Sequence, residues 1–101
     1  MWTNSSNTAH FMAWPAVEAM FEGVGRLLGP GGCFALYGPF NYGGRYVSDG
    51  NRRLDAWLAA HHPDFAIRDC EALATLATSA GLELCEDCAM PANNRLLIWR
   101  R

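Results

Sequence analysis

The chain has 101 residues with a formal net charge of −2; half are hydrophobic and 18% are charged. All eight positive charges are arginines and no basic run occurs, which leaves no electrostatic footprint for nucleic acid. No apolar run approaches the ~18 residues of a membrane span, and MWTNSSNTAH lacks the basic and apolar regions of a signal peptide. The expected setting is therefore the cytoplasm, with the four cysteines reduced.

Met1 and Trp2 are followed by Thr3–Thr8, a small, polar stretch that reads as the tail of a strand entering a loop. A buried strand needs about four or more apolar residues, so a strand remnant is expected here. Trp14–Leu28 is the clearest helix, because Trp14, Val17, Met20, Phe21, Val24, Leu27 and Leu28 make one wide apolar stripe. Pro15 suits its first turn, while Glu18 and Arg26 complement the dipole at its two ends. Gly23 and Gly25 weaken it by about 1 kcal/mol each relative to alanine and would permit close packing on a sheet. Gly29 and Pro30 stop it.

Cys33–Tyr37 has no polar alternation, as expected of a strand buried on both faces of an α/β sheet. Gly38–Gly44 beyond it is expected to be irregular. Ligands gather outside the carboxyl ends of strands in open parallel sheets, so a site is sought in this loop. A second helix is predicted over Asn51–His61, with Ser48 or Asp49 as cap, Leu54, Trp57 and Leu58 as its stripe, and Pro63 beyond it. A third runs over Cys70–Ala80, with Asp69 as N-cap, Leu73, Leu76 and Ala80 inward, and Gly81 at its end. Leu82–Ala89 reads as a half-buried strand, Met90–Asn94 as a turn, and Arg95–Arg100 as the last strand. Strand, short turn and strand predict an antiparallel hairpin.

Cys85-x-x-Cys88 is a weak metal or redox signal. On a regular strand residues three apart point to opposite faces, no second such pair exists to join it or His61-His62, and no metal site is expected. Cys33, Cys70, Trp57 and Trp99 read as core residues.

An α/β chain closed by a hairpin is distinctive, and several segments sharpen it. These are Asn7-Thr8-Ala9-His10 with Trp14, Gly25-Arg26-Leu27-Leu28-Gly29-Pro30-Gly31-Gly32, Leu36-Tyr37-Gly38-Pro39-Phe40, Asp55, and Met90-Pro91-Ala92-Asn93-Asn94. They are similar to the carboxyl half of the class I S-adenosylmethionine-dependent methyltransferases. Within those, the chain resembles the methyltransferase-like family DUF938, also called the methyltransferase-like 26 type. LLGPGG is shared by most of the class, whereas YGPF together with MPANN is much narrower.

The resemblance implies an α/β fold with part of a Rossmann-like methyltransferase sheet, in one domain over residues 1–101. Strands equivalent to the fifth, sixth and seventh would be present, the seventh antiparallel and beside the fifth, with a remnant of the fourth and three flanking helices. The glycine-rich turn after the first strand and the acidic residue ending the second have no counterpart. Gly29-Pro30-Gly31-Gly32 precedes a strand, whereas a nucleotide loop follows one and opens a helix. The expectation is a carboxyl-terminal part lacking the glycine-rich half and inactive alone, whose complete form transfers a methyl group from S-adenosylmethionine to an unknown acceptor. The alternative is a non-catalytic assembly module whose open sheet edge joins a second copy or a complementing amino-terminal half.

The resemblance also names candidate residues. Asn7 and His10, after the fourth strand, would position the acceptor and take its proton, with Asn7 and Thr8 bordering the cofactor; a loop histidine bonded to backbone is the plainer reading. Trp14, Phe40, Asn41, Tyr42 and Arg45 would line a substrate pocket, against rings that cap the core and an arginine in a surface ion pair. Asn93 and Asn94 would join them, although turn chemistry alone accounts for both.

Overall fold

The computed structural model describes residues 2–6 and 8–101. In chain order it contains β1 (Trp2–Ser6), a short 3₁₀ turn (Ala9–Phe11), α1 (Trp14–Leu27), β2 (Cys33–Gly38), β3 (Phe40–Asn41), α2 (Asp49–His61), β4 (Arg68–Asp69), α3 (Cys70–Ser79), β5 (Glu83–Met90), a second 3₁₀ turn (Pro91–Asn93) and β6 (Asn94–Arg100). No helix among the described residues is long and apolar enough to cross a membrane.

The main sheet has the order β1-β2-β6-β5. β1 runs parallel to β2, with Asn4 opposite Ala35. β6 is antiparallel to both its neighbours, with Phe34 opposite Trp99 on one side and Asp87 opposite Leu97 on the other. The reversed last strand thus lies between β2 and β5, as the resemblance implies, and β5 and β6 form the predicted hairpin. The expected strand remnant is a full five-residue strand. Its polar residues are tolerated because it is held by backbone pairing along the whole of β2, with Thr3 and Ser5 half-buried and Asn4 and Ser6 exposed.

The core lies on one face of this sheet. Phe34 and Leu36 of β2 and Leu97 and Trp99 of β6 point to it, meeting Val17 and Phe21 of α1 and Leu73 and Ala77 of α3. Phe21 stands edge-on to Trp99 at 5.1 Å and to Phe34 at 5.5 Å, and Phe34 stacks on Trp99 at 5.9 Å. Such aromatic pairs add about 0.5–1.5 kcal/mol each beyond the area they bury. Within α1 the buried positions are Val17, Phe21 and Gly25, followed by Leu28 just past its end. Leu27 falls off that stripe and is 78% exposed, against expectation. Gly25 packs against the end of α3 and not on the sheet: a Cβ there would lie 2.4 Å from the carbonyl oxygen of Ala80. Gly23 has no neighbour within 4 Å of such a Cβ.

Arg101 closes the far end of α1. Its Nη1 donates to the carbonyls of Gly25 and Leu28, the latter at 2.6 Å. Its backbone brackets the stop after the helix, donating to Gly32 O (2.9 Å) and accepting from Gly31 N (3.0 Å).

Three further expectations are corrected. Phe40–Asn41 is not irregular but pairs in parallel with Arg68–Asp69, because the chain after α2 returns alongside the loop after β2. Trp57 is half exposed and rests on the ring of His61 at 3.9 Å, since the buried face of α2 carries Asn51 and Leu58 instead. Cys33 is only partly buried, while Cys70 and Trp99 are core residues as expected. Ser48 is the cap of α2, its Oγ accepting from Asn51 N at 3.0 Å, whereas Asp69 makes no side-chain cap bond.

A bulge at Cys85 shifts the register of β5 between Leu84 and Glu86. Cys85 consequently shares a shallow surface depression with Cys33, Glu86, Ile98 and Arg100. Cys88, opposite Leu96, lies on that same side, so the opposite-face argument does not hold for this strand. The two thiols turn to separate acceptors, Glu83 O at 3.6 Å and Glu86 Oε2 at 3.7 Å. No group of three or more His, Cys, Asp or Glu gathers to hold a metal among the described residues.

Candidate functional site

Parallel pairing of β1 and β2 sets their carboxyl ends side by side, and the loops that leave them carry most of the candidate residues. From β1 the chain passes through Thr8, whose hydroxyl bonds that of Ser5, into the 3₁₀ turn that holds His10. Asn7 lies outside the described residues. From β2 the chain continues through buried Gly38 and Pro39 into Phe40, Asn41 and Tyr42.

His10 is 5% exposed, with its ring tilted against Phe11 at 4.5 Å. Burial, and secondly the nearby Arg68 guanidinium, hold its pKa below the usual histidine value. The imidazole is therefore neutral at neutral pH. Asn41 is buried as well, and its Oδ1 has no hydrogen-bond partner among the described residues. Nor has the buried Nδ2 of Asn51, in the first turn of α2. A buried polar atom without a partner costs about 1–3 kcal/mol, so these two amides are suited to a polar ligand.

The other candidates lie in varied surroundings. Phe40 is a core side chain, and Trp14 lies beneath the guanidinium of Arg68 at 5.4 Å. The hydroxyl of Tyr42 donates to Asp87 Oδ2 at 2.7 Å, and Asp87 Oδ1 accepts from Arg95 Nε at 2.8 Å. Burial first, and then this bond to a carboxylate, raise the pKa of Tyr42, which keeps its proton. Tyr42 is thus a tie between the loop after β2 and the β5–β6 hairpin. Arg45 is exposed at the end of a tight Tyr42-Gly43-Gly44-Arg45 turn, in which Tyr42 and Arg45 exchange backbone bonds at 3.0 and 3.1 Å. Asn93 takes the left-handed conformation (φ 59°) in an exposed turn, and Asn94 starts β6 with its Nδ2 bonded to Pro91 O at 3.1 Å.

Sequence reasoning passed over Asn51 and Arg68. Asn51, Asp55 and Leu58 fall on one helical face. A polar residue in line with the buried Leu58 was the available signal for Asn51. Asp55 fixes that face to the chain beyond: its Oδ1 accepts from Ile67 N at 2.9 Å and its Oδ2 from the Tyr46 hydroxyl.

Solved structures share this architecture. An O-methyltransferase family 2 protein from Planctomyces limnophilus, solved with apigenin, superposes with a TM-score of 0.88 at 13% identity, over 99% of this chain and 30% of that one. Human N-acetylserotonin methyltransferase, solved with S-adenosylmethionine, gives 0.86 at 14% identity, over 99% and 29%. The complex of the Haloferax volcanii methyltransferase activator Trm112 with a methyltransferase gives 0.71 at 17% identity, over 98% and 53%. The fold is that of the carboxyl-terminal part of methyltransferases, and the chain spans about 30% of the length of the first two of these structures and about half of the third. The chain itself belongs to the family described as "Protein of unknown function (DUF938)", whose model matches residues 2–101.

Proposed function

We propose that this chain supplies the acceptor side of an S-adenosylmethionine-dependent methyltransferase. The observation that carries the reading is His10: a buried, neutral imidazole at the adjoining carboxyl ends of β1 and β2, in a sheet of methyltransferase order. S-adenosylmethionine presents an electrophilic methyl on a sulfonium sulfur. Bound beside His10, it would supply that methyl to the acceptor, and His10 would take the proton the acceptor gives up. Little more than positioning and a base is needed for such a displacement. Asn41 and Asn51 are suited to hold the acceptor's polar groups, and Asn7 and Thr8, next to His10 in sequence, are assigned to the cofactor border.

The cofactor's main contacts are expected from a glycine-rich segment outside this sequence. Among the described residues β1 pairs with β2 alone, so its outer edge is open to a further strand. Calorimetric titration of the 101-residue chain with S-adenosylmethionine tests this division. No saturable heat is expected; saturable micromolar binding would show that this chain holds the cofactor unaided. In a DUF938 protein that also carries the glycine-rich turn, alanine at the His10 position should lower kcat by about 10²–10⁴-fold with a smaller change in KM. An unchanged kcat removes His10 as the base.

A further inference from the structure

Arg68 ties together the two loops that form the site. Its Nε donates to Ala9 O at 3.4 Å, and its Nη2 to Met12 O and, at 2.8 Å, to Asp64 O. Ala9 and Met12 flank His10, and Phe11 lies between His10 and Met12. The guanidinium lies over the Trp14 ring at 5.4 Å, and the Arg68 backbone pairs with Phe40 in the loop after β2. We propose that Arg68 is the positioning residue of this site: its guanidinium, seated on Trp14 and bonded to the carbonyls on both sides of His10, holds the imidazole in place against the loop after β2. The proposal rests on the reading of His10 as the base.

A single 3₁₀ turn is a weak structure by itself. The turn at Ala9–Phe11 is closed by the backbone bond from Phe11 N to Thr8 O at 2.9 Å. Its geometry must therefore be set from outside, and a planar fork with five N–H donors meets divergent carbonyls as the single ammonium of lysine does not. Burial holds the pKa of Arg68 below the usual arginine value, a shift that the carboxylates of Asp55 on α2 and Asp64 before β4 oppose. Burial is the main cause of the lowered His10 pKa, and the Arg68 guanidinium adds to it, so the side chain that orients the imidazole also disfavours its protonation.

The test is residue-resolved amide exchange by NMR, together with the titration of the His10 ring, in the full chain and in Arg68→Met and Arg68→Lys. Both variants should speed exchange of the Phe11 amide by about tenfold or more while the core amides of Leu36 and Leu97 stay within about twofold. The His10 midpoint should rise in Arg68→Met and stay low in Arg68→Lys, which keeps the charge without the fork. Unchanged exchange at Phe11 overturns the proposal, as does equal acceleration at Leu36 and Leu97, which would mark Arg68 as a strut of the whole fold. Should Arg68→Met not fold, Arg68→Lys decides, and its failure to fold also counts against the proposal. None of these readings depends on turnover, so a negative result for His10 as base leaves the positioning result standing, and the reverse.

Discussion

Gly25 and Ala80 are pressed together where α1 crosses the end of α3, with no room between them for a methyl group. Gly25→Ala should therefore destabilise the chain by about 1–3 kcal/mol, as overpacking does. Gly23→Ala, two residues away in open space, should stabilise it by about 0.5–1 kcal/mol through helix propensity. Urea unfolding of the two variants should move the midpoint in opposite directions.

The aromatic cluster carries a larger share. Phe21→Ala removes the ring that stands edge-on to both Phe34 and Trp99 and joins α1 to the sheet. A loss of about 3–5 kcal/mol is expected. Thermal unfolding by circular dichroism measures it.

The four free cysteines should react in an order set by burial. Burial, with help from the Asp87 and Glu71 carboxylates, pushes the Cys70 thiol up to about 11, leaving it protonated and inert at neutral pH. Cys85 is exposed at its bulge and should be alkylated first. Peptide mapping after timed iodoacetamide treatment of the native chain gives the order; early loss of Cys70 would show that α3 opens locally.

His10 makes stability depend on pH with a definite sign. Its folded pKa is depressed, while the unfolded chain takes up the proton near 6.5. Below 6.5 the unfolded state binds more protons, so stability falls as pH drops from about 6.5 to the folded value and then levels off. His10→Gln should flatten that part of the profile. Urea midpoints compared between about pH 7.5 and pH 5 isolate the effect as the difference between wild type and variant.

Elements with strong apolar periodicity were legible in the sequence. α1 and α3 fall within a residue of their predicted ends, and CFALY is a central strand. β1 was legible only as a strand remnant, because its own residues are polar and its full strand state comes from pairing with β2. Phe40–Asn41 and Arg68–Asp69 were not legible, since their short pairing depends on a contact between distant parts of the chain. At the site, His10 was singled out only through the resemblance carried by Asn7-Thr8-Ala9-His10, and its role as base is a proposal. Arg68 was not, since its partners are backbone carbonyls, which leave no trace in residue identity. Tyr42 looked like a pocket ring because nothing local announces Asp87, 45 residues on.

The placement of β6 has a consequence for synthesis. β2 and β5 emerge from the ribosome before the strand that separates them, since β6 follows both in sequence yet lies between them in the sheet. While Asn94–Arg100 is still in the exit tunnel, β2 has no partner on the side away from β1, and Phe34 and Leu36 lack the cover of Trp99 and Leu97. Two nascent edges wait for one strand, and a premature join of β2 to β5 would shut that strand out. The growing chain is most exposed to mispairing until Asn94–Arg100 clears the tunnel, and chaperone contact matters most over that interval.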